Sequence, residues 1–67
     1  MKVYDHIIQQ LVDRRNELGL SQRTLDYEIG CADGLVGKWE KQKRRPSVFM
    51  LSCWVDALGC EFYIKQR

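Results

Sequence analysis

The chain has 67 residues, of which 45% are hydrophobic and 30% are charged, and its formal net charge at pH 7 is +2. This length permits one domain with a small core, whose stability is expected to be marginal or to be completed by oligomerisation. The hydrophobic content excludes a disordered chain, and the lack of a signal peptide or a membrane-spanning apolar run predicts a cytoplasmic, nucleoid-associated protein.

The first predicted helix covers residues 5–18, with Asp5 as its N-cap. One face of this helix is apolar at helical spacing and is expected to point inward: Ile8, Leu11, Val12 and Leu18. Gly19 is expected to end the helix in a left-handed conformation.

A second helix is predicted over residues 22–29, with Ser21 as its N-cap and Leu25 and Ile29 facing inward. Gly30 provides the positive φ of a tight turn. A third helix is then expected over residues 33–41. Its inward residues are Val36 and Trp39, and its outward residues are Asp33, Gly34, Gly37 and Lys38.

A run of positive charge follows the third helix. Five of the eight residues 38–45 are Lys or Arg, against a single acid, Glu40. Such a run is either a solvated loop or a phosphate-binding segment. Its position directly after a helix-turn-helix pattern favours phosphate binding.

The fourth predicted helix covers residues 48–58, with Ser47 as its N-cap and Gly59 as its stop. It is apolar nearly all round, and Ser52 and Asp56 are its only polar members. A helix that is apolar on two faces needs a second surface to cover it. We therefore expect another protomer to pack against it; a crowded core is the alternative.

The tail alternates apolar and polar residues from Cys60 to Lys65, which is typical of a strand. The chain offers no second strand, so we expect this one to pair with its copy in a second subunit. An irregular tail is the alternative. The predicted organisation is a domain over residues 1–59 followed by a possible dimerisation element over residues 60–67.

The ordered residues of this chain resemble the Cro/repressor-type helix-turn-helix proteins, also called the XRE family. The resemblance covers residues 8–59 and rests on one set of positions: Leu20-Ser21-Gln22, Leu25, Ile29-Gly30, Val36, Trp39-Glu40, Arg44-x-Pro46-Ser47 and Ala57-Leu58-Gly59. It implies an all-α, four-helix, lambda repressor-like fold whose third helix enters the major groove of double-stranded DNA.

The resemblance also implies roles for individual residues. Gln22 corresponds to a glutamine that contacts the DNA backbone, and Glu40 to an acid that pairs with a basic scaffold residue, for which Arg15 is the candidate. The full set of expected DNA-binding residues is Ser21, Gln22, Arg23, Asp33, Gly34, Gly37, Lys38, Lys41, Lys43, Arg44 and Arg45.

The two glycines of the third helix depart from the family pattern, because they cannot read a base through a side chain. Either they allow a close approach to DNA, or binding depends on phosphates and DNA shape. Lys38 is the expected base-reading residue. Asp33 is expected either to contact a base or to cap the helix.

The function predicted by the sequence is a sequence-specific transcriptional regulator, acting as a repressor and as a homodimer. The alternative is an antitoxin or another protein-interaction module with weak DNA readout, which would bind a toxin or other protein partner. No enzyme, metal or cofactor is predicted. His6 lacks a catalytic partner, and Cys31, Cys53 and Cys60 fit neither zinc nor redox spacing.

Overall fold

Residues 2–66, which the computed structural model describes, form four α-helices and no strand: α1 (Lys2–Glu17), α2 (Gln22–Ile29), α3 (Leu35–Glu40) and α4 (Val48–Ala57). The all-α prediction is confirmed. No helix in this range is long and apolar enough to cross a membrane.

The helix starts follow the predicted caps in two cases. The Ser21 hydroxyl accepts a hydrogen bond from the Thr24 N–H at 3.0 Å, and the Ser47 hydroxyl accepts one from the Met50 N–H at 3.1 Å. Each serine thereby satisfies a backbone donor that the helix itself cannot pair. The prediction for Asp5 is wrong, because α1 already includes Lys2 and places Asp5 in its first turn.

The four helices end in one shared backbone arrangement. A residue with positive φ follows each helix: Gly19 (69°), Gly30 (81°), Gln42 (58°) and Gly59 (68°). After α3, the Lys43 N–H donates to the Lys38 carbonyl at 2.9 Å and the Gln42 N–H donates to the Trp39 carbonyl at 3.1 Å. This is the Schellman pattern, which pairs the last carbonyls of a helix.

The core lies where the four helices meet. α2 packs against α3 and α4, and α1 packs against α3. The Trp39 and Trp54 rings join α3 to α4, with centroids 5.4 Å apart and planes tilted by 35°. The buried apolar residues are Ile8, Leu11, Leu25, Val36, Trp39, Trp54, Val55 and Leu58. Leu18 was predicted to face inward but is 43% exposed.

Helix α4 buries one side and leaves apolar residues exposed at its start. Trp54 and Val55 are buried, and Met50 and Leu51 are partly buried against the core. Val48 and Phe49, in contrast, are 83% and 72% exposed. The unburied apolar surface that the sequence predicted for this helix is therefore concentrated in its first turn.

The tail after α4 has no regular secondary structure up to residue 66, the last described residue. Tyr63 and Ile64 are 82% and 93% exposed. The strand prediction is wrong for the single chain, since no second strand within residues 2–66 supplies the hydrogen bonds that a strand needs. Pairing between two subunits stays a prediction.

We predict that Gln42→Gly raises the free energy of unfolding by about 0.5–1 kcal/mol, because glycine adopts a positive φ without the steric cost of a Cβ. The measurement is urea denaturation of both proteins. Gln42→Ala, which keeps the Cβ, is the matched control and should give no gain. Equal stabilisation by both substitutions would contradict the explanation.

Candidate nucleic-acid interface

An ion pair holds the C-terminal end of α3 against α1. The Arg15 Nε and Nη2 atoms donate to the two Glu40 carboxylate oxygens at 2.6 Å and 2.9 Å. The predicted pairing of these residues is confirmed. The side chains of Arg15 and Glu40 are only 13% and 7% exposed, so the pair is nearly withdrawn from solvent.

Two further hydrogen bonds extend this ion pair. Arg15 Nη1 donates to the Leu20 carbonyl at 2.8 Å, and Gln22 Nε2 donates to Glu40 Oε1 at 2.8 Å. The Glu40 carboxylate also raises the pKa of the Arg15 guanidinium, which therefore stays charged. Together these contacts fix the α1–α2 turn, the start of α2 and the end of α3 relative to one another.

A buried carboxylate holds the N-terminal end of α3. Asp26, in α2, is 1% exposed. Its Oδ2 accepts from the Gly34 N–H and its Oδ1 from the Val36 N–H, both at 2.8 Å. A negative charge is favourable at this position because it faces unpaired N–H groups and the positive end of the helix dipole.

Cys31 adds a third donor to the same carboxylate. Its Sγ lies 3.5 Å from Asp26 Oδ1. Burial, followed by the hydrogen bond and the charge of Asp26, raises the pKa of the Cys31 thiol to about 11. The thiol is therefore protonated at neutral pH and can act as a donor.

The structure corrects the prediction that Asp33 and Gly34 are outward residues of the third helix. The helix begins only at Leu35, and Gly34 precedes it as the N-cap with φ of 84°. The cause is the bond from Gly34 to Asp26, which holds the backbone in a left-handed turn. The capping alternative for Asp33 is also wrong, since Asp26 supplies the carboxylate; Asp33 is exposed.

Gly37 does not face outward from α3 as the sequence predicted. It is half-buried rather than outward, and it faces α2. A Cβ built on Gly37 would lie 3.0 Å from Gln22 Oε1. The packing of α2 on α3 therefore accounts for this glycine.

The predicted residues at the start of α2 and before α3 do lie together. A concavity of about 390 Å³ is lined by Gln22, Arg23, Asp26, Asp33 and Gly34. Arg23 and Asp33 are both exposed, so the lining of the concavity includes one basic and one acidic side chain.

The basic segment, defined as residues 41–45, folds back on the end of α3. The Lys38 carbonyl accepts from the Lys43 N–H at 2.9 Å and from the Arg44 N–H at 3.4 Å. All four Lys and Arg side chains of the segment are exposed, as is Lys38. The Arg45 guanidinium also lies 5.1 Å from the centre of the Tyr4 ring, a cation–π contact that ties the segment to α1.

Sequence reasoning missed Asp26. The available signal was its helical spacing, since Asp26 follows Gln22 by four residues and precedes Ile29 by three, and so shares their side of α2. An acid on that inner side requires donors, and the unpaired N–H groups at the start of the next helix can supply them.

The chain matches a family model described as helix-turn-helix over residues 11–64. It therefore belongs to the Cro/repressor-type helix-turn-helix family, the XRE family, whose members bind DNA as regulators and are typically not enzymes. Searches of curated proteins and of solved structures found no match.

We predict that Asp26→Ala lowers the free energy of unfolding by about 1–3 kcal/mol, because it leaves the buried Val36 N–H and the Gly34 N–H without their acceptor. Thermal and urea denaturation measure the effect. Asp33→Ala removes an exposed carboxylate seven residues away and is the matched control, with an expected change within about 0.5 kcal/mol. Similar losses in the two variants would show that Asp26 is not the specific support of α3.

Proposed function

We propose that this helix-turn-helix protein is a homodimeric, sequence-specific transcriptional repressor that inserts α3 into the major groove of double-stranded DNA. The observation that carries the proposal is the support of α3 at both ends. Asp26 holds its start and Arg15 holds its end through Glu40, while Lys38 remains exposed between them.

A recognition helix needs such support because base readout requires a fixed side-chain position. In the proposed complex, α3 lies in the groove and α2 crosses the DNA backbone. Lys38 then reaches guanine acceptors on the base edges, and Asp33 accepts from a cytosine amino group. Arg23, Ser21 and Gln22 contact phosphates from the start of α2, where the helix dipole favours an anion.

The basic segment supplies the part of the affinity that does not depend on sequence. Its four cations are exposed and follow directly on α3. If each protomer neutralises three or four phosphates, a dimer neutralises about seven, and the logarithm of affinity falls with the logarithm of salt concentration at a slope of about −6.

The proposed dimer uses the apolar residues that the single chain leaves exposed. Val48 and Phe49 in α4 and Tyr63 and Ile64 in the tail are all more than 70% exposed. Burial of these side chains between two copies would stabilise a small domain, and pairing of the tails would satisfy their backbone groups. The dimer would bind two half-sites about one helical turn apart and repress by occupying a promoter.

The same exposed apolar residues favour a second candidate function. A protein partner such as a toxin could cover Val48, Phe49 and the tail, and the helix-turn-helix would then serve interaction with weak DNA readout. DNA binding and partner binding depend on different residues in this chain, so substitutions can separate the two functions.

We predict that the wild-type protein selects a pseudo-palindromic sequence from random DNA, and that two variants affect binding differently. The triple alanine variant of Lys43, Arg44 and Arg45 should weaken binding to all sequences alike and reduce the salt slope by up to about 3 per protomer, because phosphates carry no sequence information. Lys38→Ala should instead change the selected sequence, with a loss of about 1–3 kcal/mol at the base it contacts.

Lys2→Ala removes one exposed cation that is not among the proposed DNA or dimer contacts, and it serves as the charge-matched control for Lys38→Ala. It should leave the selected sequence unchanged. A salt slope near zero for the wild-type protein would exclude DNA as the partner. Unchanged binding in both interface variants, together with a co-purifying protein, would favour the interaction function.

We predict that deletion of residues 61–67 converts a dimer into a monomer, because it removes the exposed apolar residues of the tail and the backbone groups proposed to pair between subunits. Sedimentation velocity measures the mass. Phe49→Ser tests the contribution of α4 in the full-length chain and should weaken the dimer without loss of helix content. An unchanged mass after the deletion would exclude pairing through the tail.

A further inference from the structure

The orientation of the Gln22 side-chain amide is set by its neighbour. Both oxygens of the Glu40 carboxylate accept hydrogen bonds from Arg15, so the carboxylate acts as an acceptor toward its neighbours. The amide nitrogen of Gln22 must therefore face Glu40, as the 2.8 Å contact shows. The amide oxygen is then directed to the other side, where it lies against Gly37.

Gly37 leaves the space that this oxygen occupies. A Cβ at position 37 would lie 3.0 Å from Gln22 Oε1 and 3.5 Å from Gln22 Cδ. The first distance is shorter than an ordinary van der Waals contact, so the amide would have to move. Glu40 holds the nitrogen of the same planar group, so a movement of the oxygen strains or lengthens the bond to Glu40.

Glycine is otherwise unfavourable at this position. Gly37 lies inside α3, a helix of six residues, and its φ is not in the left-handed region. Alanine would make the helix more stable than glycine does, because alanine has less backbone freedom in the unfolded chain. The fold of α3 alone therefore gives no reason for a glycine, whereas the position of Gln22 does.

We infer that Gly37 is a positioning residue for Gln22. Together with Glu40 it fixes the Gln22 amide so that the second hydrogen of Nε2, which has no acceptor within residues 2–66, is held ready for a phosphate oxygen. This inference rests on the proposed DNA-binding function. Gly37 is then explained neither by a close approach of DNA nor by a loss of base readout. It keeps the Gln22 amide in position for a phosphate contact that α2 makes.

A Gln22 side chain that is already fixed in the free protein increases DNA affinity, because it does not have to be ordered on binding. A free glutamine side chain loses rotamer entropy when it binds, and one that is already fixed does not. The expected loss after release of the Gln22 amide is about twofold to tenfold in affinity per protomer. For a dimer with two such sites it is about fourfold to a hundredfold.

The test compares Gly37→Ala and Gln22→Ala, singly and together, by titration of the DNA sequence that the wild-type protein selects. Gly37→Ala should bind DNA more weakly even though its thermal stability is equal or higher, a combination that a loss of folding cannot produce. In the Gln22→Ala background, Gly37→Ala should have no further effect on DNA affinity. Gly37→Val, with a larger side chain, should enlarge the loss only when Gln22 is present.

Two results would overturn the inference. One is a Gly37→Ala variant that binds as tightly as wild type. The other is an equal loss in the presence and absence of Gln22, which would mean that DNA itself approaches Gly37.

A spectroscopic measurement keeps this inference separate from the proposed function. The Gln22 side-chain NH₂ signals in the free protein should be shifted by the bond to Glu40 and should move toward those of an unbonded glutamine in Gly37→Ala. Unchanged signals would overturn the positioning role whatever the DNA result. A wild-type protein that binds no DNA, with signals that do move, would overturn the proposed function and the phosphate contact but leave the packing of Gly37 on Gln22 intact.

Discussion

The structure depends on the support of a helix too short to be stable alone. α3 has six residues, less than two turns, and a helix of this length in water forms only when other elements hold it. Two carboxylates do so from opposite ends. Asp26 accepts from the first N–H groups, and Glu40 joins the last turn to Arg15. Loss of one member of this part-buried ion pair would leave the other without its charged partner, which disfavours other orientations of α3.

The same supports explain the two glycines, which otherwise look like defects in a recognition helix. Gly34 adopts the left-handed turn that brings its N–H to Asp26, and Gly37 makes room for the amide that Glu40 binds. Gly34 therefore serves the anchoring of α3, and Gly37 serves the placement of the Gln22 amide. Neither glycine offers a side chain to a base, so the reading surface in the proposed complex is small and consists of Lys38 and Asp33.

Local signals in the sequence were sufficient for much of the fold. The bounds of α2 and the caps Ser21 and Ser47 follow from spacing and from hydroxyl chemistry, which involve residues within one turn. The start of α3 could not be predicted this way, because the conformation of Gly34 is set by a bond to Asp26, eight residues earlier. In the tail, by contrast, a local pattern was present but did not produce the predicted strand. Its alternation is a real pattern, but a strand needs a partner, and the single chain has none within residues 2–66.

The small reading surface makes dimerisation a condition for specificity in the proposed function. A single good base contact discriminates by about 1–3 kcal/mol, which is too little to distinguish one site among the many competing sites of a genome. Two copies of α3 double that discrimination and add the sequence-dependent energy of fitting DNA between them. The apolar residues that the monomer cannot bury, Phe49 and Ile64 among them, would then determine how well the protein recognises DNA, although they lie outside the proposed DNA contacts.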